Sequence, residues 1–345
     1  MLTAVARAFR TPDLRRKLLF TLLIMAIFRL GSSVPTPGVS YTLVAQCLSG
    51  ASAQNGFIGL ANLFSGGALL QLSIFALGIM PYITASIIIQ LLTVVIPRFE
   101  TLKKEGQAGQ TKMTQYTRYL TIGLAVLQSS TLITFARAPQ QIFGPQCEKI
   151  LADDSMPTIL IMVLTLTAGT GLIMWLAELI TDKGIGNGMS LLIFTSIAAG
   201  FPSSLWAIQQ AEGRWDVFIG VILVGFLVMA LVIFVEQSQR RIPVQYAKRQ
   251  VGRKMYGGSS TYIPLKVNMA GVIPVIFASS LLSLPALVAQ FATPQDGSAP
   301  PEWVVWIQNY LVRGDHPLYM ILYVALILFF TFFYVSITFN PVEVA

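Results

Sequence analysis

The chain has 345 residues, of which 54% are hydrophobic and only 11% are charged, and its formal net charge is +8. Soluble domains carry roughly 25% charged residues, so this composition excludes a soluble globular protein. Long uncharged apolar runs cross membranes as helices, because a helix satisfies its own backbone hydrogen bonds in lipid. The sequence therefore predicts a polytopic membrane protein of the all-α class.

Eight apolar stretches of the chain are long enough to cross a bilayer, which takes about 20 helical residues. The first follows a basic segment, but no small-residue cleavage site comes after it, so we expect a retained span and not a signal peptide. An even number of spans places both termini on the same side of the membrane. The predicted spans lie near residues 18–35, 69–96, 117–136, 157–179, 189–209, 215–236, 268–291 and 317–338.

The basic residues are distributed unequally between the two faces of these spans. Eighteen of the 23 Lys and Arg residues fall before the first span or in the loops on that same side. Because cytoplasmic loops carry the excess of Lys and Arg, both termini are predicted to be cytoplasmic. Arg29 is the clear charge within a span, and it lies close enough to the outer end of its helix for the side chain to snorkel to the membrane surface.

The stretch from residue 57 to residue 97 contains a broken apolar segment. A short apolar piece, residues 57–64, ends at the pair Gly66 and Gly67, and an uncharged run then continues to Pro97. A half-helix at membrane depth is tolerated only where protein or water satisfies its ends. The pattern predicts part of a pore or binding site, although a re-entrant packing helix would have the same pattern.

The longest predicted cytoplasmic loop, residues 237–266, interleaves seven basic residues with aromatic residues and turn formers. This pattern predicts a β-hairpin or an extended finger that reaches beyond the lipid headgroups. A charged anchor for anionic lipid is one interpretation. A docking site for an acidic or RNA-containing partner is the other, because spaced Arg and Lys side chains match phosphates and carboxylates.

The residues give few signals for chemistry. No catalytic Ser/His/Asp set, zinc motif or CxxC pattern occurs, so we predict no enzyme activity, no metal and no cofactor. The glycine-rich run at residues 183–188 joins two apolar helices and is predicted to be a tight turn in which Asn187 caps the next helix. Cys47 and Cys147 both fall in outward loops, where they form either a disulfide or two free thiols.

Several long motifs of the chain resemble one family. They include FSGGALLQLSIFALGIMPYITASIIIQLLTVVIP, KKEGQAGQTKMTQYTRYL, DKGIGNGMSLLIF and RRIPVQYAKRQVGRKMYGGSSTYIPLKVNMAGVIPVIFASSLL, followed by the closing FNP. In order along the whole chain, they resemble the SecY family of bacterial protein-translocon channel subunits. The resemblance implies ten helices in two inverted halves of five. It divides this chain into an N-terminal half, 1–212, with a plug at 56–67, and a partial C-terminal half, 213–345, with the loop 237–266; the chain reaches Ala345 just after the eighth span.

The resemblance also implies four groups of functional residues. The pore would narrow at a ring of aliphatic side chains. Two pairs of ring residues, at positions 79 and 83 and at positions 189 and 193, are spaced so that each pair shares one helical face. Taken alone, such pairs more often contact lipid or the protein core. Three prolines, Pro81, Pro274 and Pro285, would let helices bend at a lateral gate, although each is also a common kink. The implied ring is Ile79, Ile83, Met189, Ile193 and Ile276; the plug is Phe57, Ile58, Leu60, Asn62, Leu63, Phe64, Gly66 and Gly67; the gate is Thr84, Gln90 and Leu284; and the docking residues are Arg240, Arg241, Lys248, Arg249, Arg253 and Lys254.

The function implied by the resemblance is a protein-conducting channel in the bacterial plasma membrane. It would pass unfolded secretory proteins and release signal peptides or transmembrane segments sideways into lipid. The implied partners are SecE, SecG, the SecA ATPase and the ribosome, including contact with ribosomal RNA. The alternative from the residues alone is a secondary transporter or small-solute channel, which shares broken helices but needs a polar site at the membrane midplane.

Overall fold

The computed structural model describes residues 11–50, 65–137, 147, 150–153, 155–212, 215–245, 249–251, 254–256, 260–292, 300–312 and 316–338. The chain divides into two compact units. One comprises Met1–Ser204 and Ser280–Ile321, and the other comprises Leu205–Ser279 and Leu322–Ala345.

The described part of the chain is mainly helical, with four short strands between the eighth and ninth helices. The helices are α1 Pro12–Gly31, α2 Tyr41–Gly50, α3 Met80–Val95, α4 Pro97–Lys104, α5 Gln107–Arg137, α6 Met156–Lys183, α7 Gly188–Glu212, α8 Trp215–Gln237, α9 Ile273–Phe291, α10 Glu302–Ile307 and α11 Pro317–Thr338, and a π-helical turn, Gln308–Val312, follows α10. The strands are β1 Gln239–Gln245, β2 Arg249–Val251, β3 Lys254–Tyr256 and β4 Ser260–Lys266.

The predicted second span is helical over only part of its length. Residues 69–79 form irregular turns, and the helix α3 begins at Met80. Leu72 and Gly78 both have positive φ, 46° and 58°, which an α-helix cannot accommodate. Pro81 then lies in the first helical turn, where its missing N–H breaks no bond. The prediction of one helix across 69–96 is therefore wrong for its first eleven residues.

Three helices in the described residues are long and apolar enough to cross a membrane: Met156–Lys183, Trp215–Gln237 and Pro317–Ser336. Helices α3 and α4 are bent by 97° relative to each other, and a fourth span results if they are counted together as one broken span. Each of the other predicted spans also contains a helix, but the number of eight spans remains a prediction.

The core of the first unit is built around α5, α6 and the turns that precede α3. Its buried apolar residues come from α2, those turns, α5, the first half of α6, and Cys147, Ile150 and Leu151. Phe75 stacks on Phe28 of α1, with ring centroids 5.8 Å apart. The core therefore holds the irregular segment 65–79 between helices.

The second unit contains the basic loop, and the hairpin prediction is confirmed. Strands β1 and β4 pair antiparallel from Gln239 opposite Lys266 to Gln245 opposite Ser260. Strands β2 and β3 continue as a second antiparallel pair. Below them, Asn268 Nδ2 donates to Glu236 Oε2 at 3.1 Å, which joins the end of α8 to the chain that follows β4.

Candidate functional site

The glycine pair that ends the predicted plug lies inside the first unit. Gly66 and Gly67 have φ values of +67° and +88°, a region that favours glycine. Gly66 is buried, and a Cβ there would lie 3.1 Å from the Cα of Ser196 on α7, whereas Gly67 faces open space. Gly66 is thus required both by conformation and by its close approach to α7, and Gly67 only by conformation.

The rest of the predicted plug cannot be compared with the structure. Its apolar residues, Phe57, Ile58, Leu60, Asn62, Leu63 and Phe64, lie outside the described residues. The plug helix therefore remains a prediction.

The carbonyl of Gly66 has a cationic hydrogen-bond donor. Arg29 Nη1, in the last turn of α1, donates to it at 2.7 Å, and the same nitrogen lies 3.5 Å from Ser32 Oγ. The sequence predicted that this side chain would extend to the membrane surface. The structure instead gives the guanidinium a partner in the glycine pair.

The loop after α1 holds the turns that follow the glycine pair. The backbone N–H and the hydroxyl of Thr36 both donate to the Leu72 carbonyl, at 3.0 Å and 2.5 Å, and Ile74 N donates to the Val34 carbonyl at 2.9 Å. These bonds satisfy backbone groups that a helix would otherwise pair internally. Non-helical backbone is therefore stable here because it is packed within protein.

The predicted pore residues occupy two units. Ile79 and Ile83 lie one helical turn apart at the start of α3, where both are buried. Met189 and Ile193 lie one turn apart at the start of α7, and both are half-buried. Ile276 is half-buried in α9, in the part that belongs to the second unit. The shared helical faces of the two pairs are confirmed, and a ring formed by all five residues remains a prediction.

The predicted gate residues lie on α3 and α9. Thr84 donates its hydroxyl to the Met80 carbonyl within α3 at 3.0 Å, and Gln90 is exposed on the same helix. Leu284 lies in α9, but its side chain is outside the described residues. The gate role of these residues remains a prediction.

The three prolines assigned to the gate do not act alike. Pro81 and Pro274 are each the second residue of a helix, where no intrahelical hydrogen bond is lost. Pro285 lies inside α9 and does remove such a bond. The prediction of bending is wrong for the first two prolines and remains a prediction for Pro285.

The hairpin presents part of the predicted docking surface. Arg240 and Arg241 lie on β1, and the guanidinium of Arg241 lies over the ring of Tyr262, 4.8 Å from its centroid. This contact orients a cation on the strand without neutralising it. Lys248 and Arg253 lie outside the described residues, and Arg249 and Lys254 are described by their backbones in β2 and β3.

The two cysteines are joined by a disulfide. The Cα atoms of Cys47 and Cys147 are 5.5 Å apart, and the bond links residues 100 positions apart. Beside it, Ser40 N donates to the Ile150 carbonyl and Ala152 N donates to the Gly38 carbonyl, at 3.1 Å and 2.9 Å. Of the two alternatives for these cysteines, the structure contains the bridge.

The glycine-rich turn between α6 and α7 is built as predicted. Asn187 Oδ1 accepts hydrogen bonds from the backbone of Met189 and Ser190, at 3.0 Å and 3.4 Å, so it caps α7. The turn also contacts α1, because Ile185 N donates to Thr21 Oγ1 at 3.3 Å. These contacts position the first turn of α7, which carries Met189.

An ion pair between α5 and α6 was missed in the sequence. Arg118 Nε and Nη2 donate to the two carboxylate oxygens of Glu178 at 2.9 Å and 2.8 Å. Glu178 was the signal available, since it is a lone acid within the predicted fourth span. A forked guanidinium–carboxylate pair fixes geometry as well as charge, so it sets how the two helices meet at this end.

The described residues contain no group of three or more His, Cys, Asp or Glu side chains that could hold a metal ion. The described charged side chains instead make paired contacts between elements, as in Arg118 with Glu178 and Arg29 with Gly66. The geometry is that of a helical scaffold around an irregular segment with a glycine pair.

Comparisons with known proteins agree with this geometry. The model of the SecY family matches residues 73–345. The chain is 63% identical to protein translocase subunit SecY of Streptomyces galbus and 59% identical to that of Micrococcus luteus; both matches cover 100% of this chain, and 79% and 78% of those proteins.

Solved structures with the same fold have much lower sequence identity. A structure described as a protein-conducting channel matches with a TM-score of 0.60 at 17% identity, covering 94% of this chain and 73% of that one. Sec61 in the canine ribosome-channel complex from the endoplasmic reticulum matches with a TM-score of 0.59 at 17% identity, covering 95% and 74%. With the family model and the relatives at 59–63% identity, they lead to one conclusion: the chain belongs to the SecY family, the translocase subunits that form the protein-conducting channel.

Proposed function

We propose that this chain conducts unfolded secretory proteins across the membrane and releases apolar signal peptides and transmembrane segments sideways into lipid. The observation that carries the proposal is the identity of 63% to a translocase subunit over the whole chain. The irregular segment 65–79, which contains the buried Gly66, is consistent with it, because backbone of this kind at membrane depth is tolerated only where it is surrounded by protein or lines a cavity. Family membership leaves the alternative of a secondary transporter or small-solute channel without support.

The pore of the proposed channel narrows at Ile79, Ile83, Met189, Ile193 and Ile276. Bulky aliphatic side chains exclude water and ions by dewetting, and they form no fixed bonds with a passing peptide. Met189 adds an unbranched, flexible side chain that adapts to peptides of different shape. A ring of this chemistry passes many sequences while it keeps the membrane sealed.

The plug and the gate complete the mechanism. Residues 56–67 seal the pore from outside in the resting state, and Gly66 and Gly67 supply the backbone freedom on which the segment turns. Thr84, Gln90 and Leu284 line the gate through which an apolar helix enters lipid. The half-buried hydroxyl of Thr84 is satisfied within its own helix, so it adds no unpaired polar group to that surface.

The hairpin is the proposed docking surface for a cytoplasmic partner that supplies energy. Its described arginines, Arg240 and Arg241, are neighbours on β1, which pairs antiparallel with β4, and they project to opposite faces of the hairpin. Arginine on a protruding strand suits carboxylates of the SecA ATPase and phosphates of ribosomal RNA. We include the ribosome among the partners, and SecE and SecG as the small membrane subunits.

We propose that the channel lies in the bacterial plasma membrane with its N-terminus in the cytoplasm. The distribution of Lys and Arg supports this orientation. The disulfide also supports it, because both cysteines lie in segments between predicted spans that this orientation places outside, where disulfides persist.

The experiment is photocrosslinking from a probe at Ile83 or Ile193 in the assembled translocase while a secretory precursor is stalled in transit. Crosslinks from both positions to the mature part of the precursor are expected. The matched control is a probe at Leu160 on α6, whose side chain is 61% exposed and should label lipid. If Ile83 and Ile193 label only lipid while the precursor still crosses, the pore assignment is wrong.

A second experiment tests the docking surface. Replacing Arg240 and Arg241 with Glu should weaken binding of SecA or the ribosome by at least about tenfold at low salt, because charge reversal turns attraction into repulsion. Replacing Lys103 and Lys104, which lie on α4, in the same way is the matched control, and membrane insertion should be unchanged in both. Unchanged binding by the hairpin variant at physiological salt would rule out this dock.

A further inference from the structure

We propose that Arg29 is a positioning residue that holds the glycine pair in its resting conformation through a releasable hydrogen bond to the Gly66 carbonyl. The inference rests on the proposed function, in that Gly66 ends the sealing segment. The local contact can nevertheless be tested without any transport assay.

The bond joins two elements that are far apart in sequence. Arg29 lies in the last turn of α1, and its Nη1 donates to the Gly66 carbonyl at 2.7 Å. A charged donor makes this bond shorter and stronger than one between neutral groups. Its acceptor belongs to a buried residue, so water replaces the donor poorly while the segment stays in place.

The guanidinium of Arg29 donates to a neutral carbonyl, although a carboxylate would bind it more strongly. Among the described residues, the ion pairs within 4.0 Å are Lys104 with Glu100 and Arg118 with Glu178, and neither includes Arg29. A bond from a cation to a single carbonyl is easier to exchange for water or lipid phosphate than a forked ion pair. This chemistry suits a contact that must break and re-form.

Gly66 also packs closely against α7. Its Cα approaches Ser196 on α7 so closely that a Cβ would be 3.1 Å from the Ser196 Cα. Ser196 lies three residues after Ile193, which is a proposed pore residue. Gly66 is therefore fixed between the end of α1 and the helix that carries part of the proposed ring.

The backbone of Arg29 is itself fixed, so its side chain starts from a defined position. The hydroxyls of Ser32 and Ser33 both donate to the Arg29 carbonyl, at 2.7 Å and 3.3 Å. The side chain remains exposed on its other faces, which leaves it free to move away when the carbonyl does. Losing the bond should thus favour the displaced conformation without unfolding α1.

The test compares Arg29→Gln and Arg29→Lys with Arg15→Gln in the assembled translocase. Arg15 is the matched control because it is an exposed arginine on the same helix. The first readout is hydrogen exchange of the peptide that covers residues 65–74. Arg29→Gln should speed this exchange by about tenfold, which corresponds to one charge-assisted hydrogen bond, while the thermal unfolding midpoint and the exchange of α5 stay unchanged.

The second readout is ion leakage through the resting channel in the absence of precursor. Arg29→Gln should raise the leak by about tenfold. Arg29→Lys should leak much less than Arg29→Gln, because an ammonium also donates to a carbonyl. The control Arg15→Gln should match the wild type. Unchanged exchange at 65–74 would overturn the contact. Faster exchange with an unchanged leak would overturn its role in sealing. If the wild type conducts no precursor, the proposed function fails, and the exchange result still decides the contact.

Discussion

Helices α6 and α8 are both long and apolar enough to cross a membrane, yet the rest of the chain covers them very differently. In the most apolar 18-residue window of α6, 44% of the residues are buried, and in that of α8 none is. Lipid tails are as apolar as leucine, so apolar character alone does not drive one helix against another. Hydropathy therefore identifies both helices as spans but does not tell which one packs inside the protein.

The difference lies in shape and in specific contacts. Helix α6 buries small residues, Gly169, Thr170 and Ala177, which let other backbones approach closely. It also makes the ion pair from Glu178 to Arg118 on α5. Helix α8 has no buried residue among those described, and its side chains are left for lipid or for a partner. Matched substitutions on the two helices separate packing from apolar character.

The largest contrast is expected from isoleucine truncation. Ile173 of α6 is fully buried, whereas Ile233 of α8 is 53% exposed. Ile173→Ala should lower the free energy of unfolding in nanodiscs by about 2–5 kcal/mol, because a cavity remains. Ile233→Ala should change it by less than about 0.5 kcal/mol. Equal losses, measured by denaturant titration, would show that α8 is as tightly packed as α6.

The disulfide should add a slightly smaller contribution to the packed region. Its loss in the double variant Cys47→Ser, Cys147→Ser should cost about 2–4 kcal/mol, since the bond restrains a long segment of the unfolded chain. Reducing agent added to the wild type is the control and should produce the same loss in the same titration. A double variant as stable as the oxidised wild type would contradict this expectation.

Glycine substitutions should have opposite signs on the two helices. A Cβ at Gly169 would collide with the Ile74 carbonyl oxygen, so Gly169→Ala should destabilise by about 1–3 kcal/mol. A Cβ at Gly225 of α8 meets nothing within 4 Å, so Gly225→Ala should stabilise by about 0.5–1 kcal/mol through helix propensity. The unfolding midpoints measure both changes. A loss of stability at Gly225 would reveal a covered face on α8.

The ion pair at the edge of the packed region should have the smallest effect. A double-mutant cycle with Arg118→Ala and Glu178→Ala should give a coupling of about 1 kcal/mol, because the arginine side chain is half exposed to screening solvent. The more exposed pair of Lys104 and Glu100 should show a weaker coupling, because solvent screens both charges. A larger value for this second pair would reverse the proposed importance of the α5–α6 contact.

Local signals in the sequence predicted local structure well. The side chain of Asn187 caps α7 as expected, and the loop of basic and aromatic residues forms the antiparallel hairpin. Both results depend on residues close together in the chain. The start of α3 was predicted less well, because the apolar run across 69–79 is compatible with a helix. The loop at residues 33–36 instead pairs with the backbone of this run and holds it in turns.

Long-range partners could not be read from the sequence. Arg29 was expected at the membrane surface because it lies near the outer end of its helix, but its partner is a backbone carbonyl 37 residues away. Carbonyls are present at every residue, so no pattern of residue types marks this one. The pair of Arg118 and Glu178 is separated by 60 residues and was missed for a similar reason.

By itself, the sequence determined the membrane class, the hairpin and the resemblance to the family, and its charge distribution predicts the orientation. These properties depend on composition, short-range periodicity and ordered motifs, which are written along the chain. Only the tertiary structure decided that the cysteines are bridged, that α6 is packed while α8 is exposed, and that Arg29 contacts Gly66. Those outcomes depend on which distant surfaces meet, and burial and hydrogen bonding select among them only when the chain is folded.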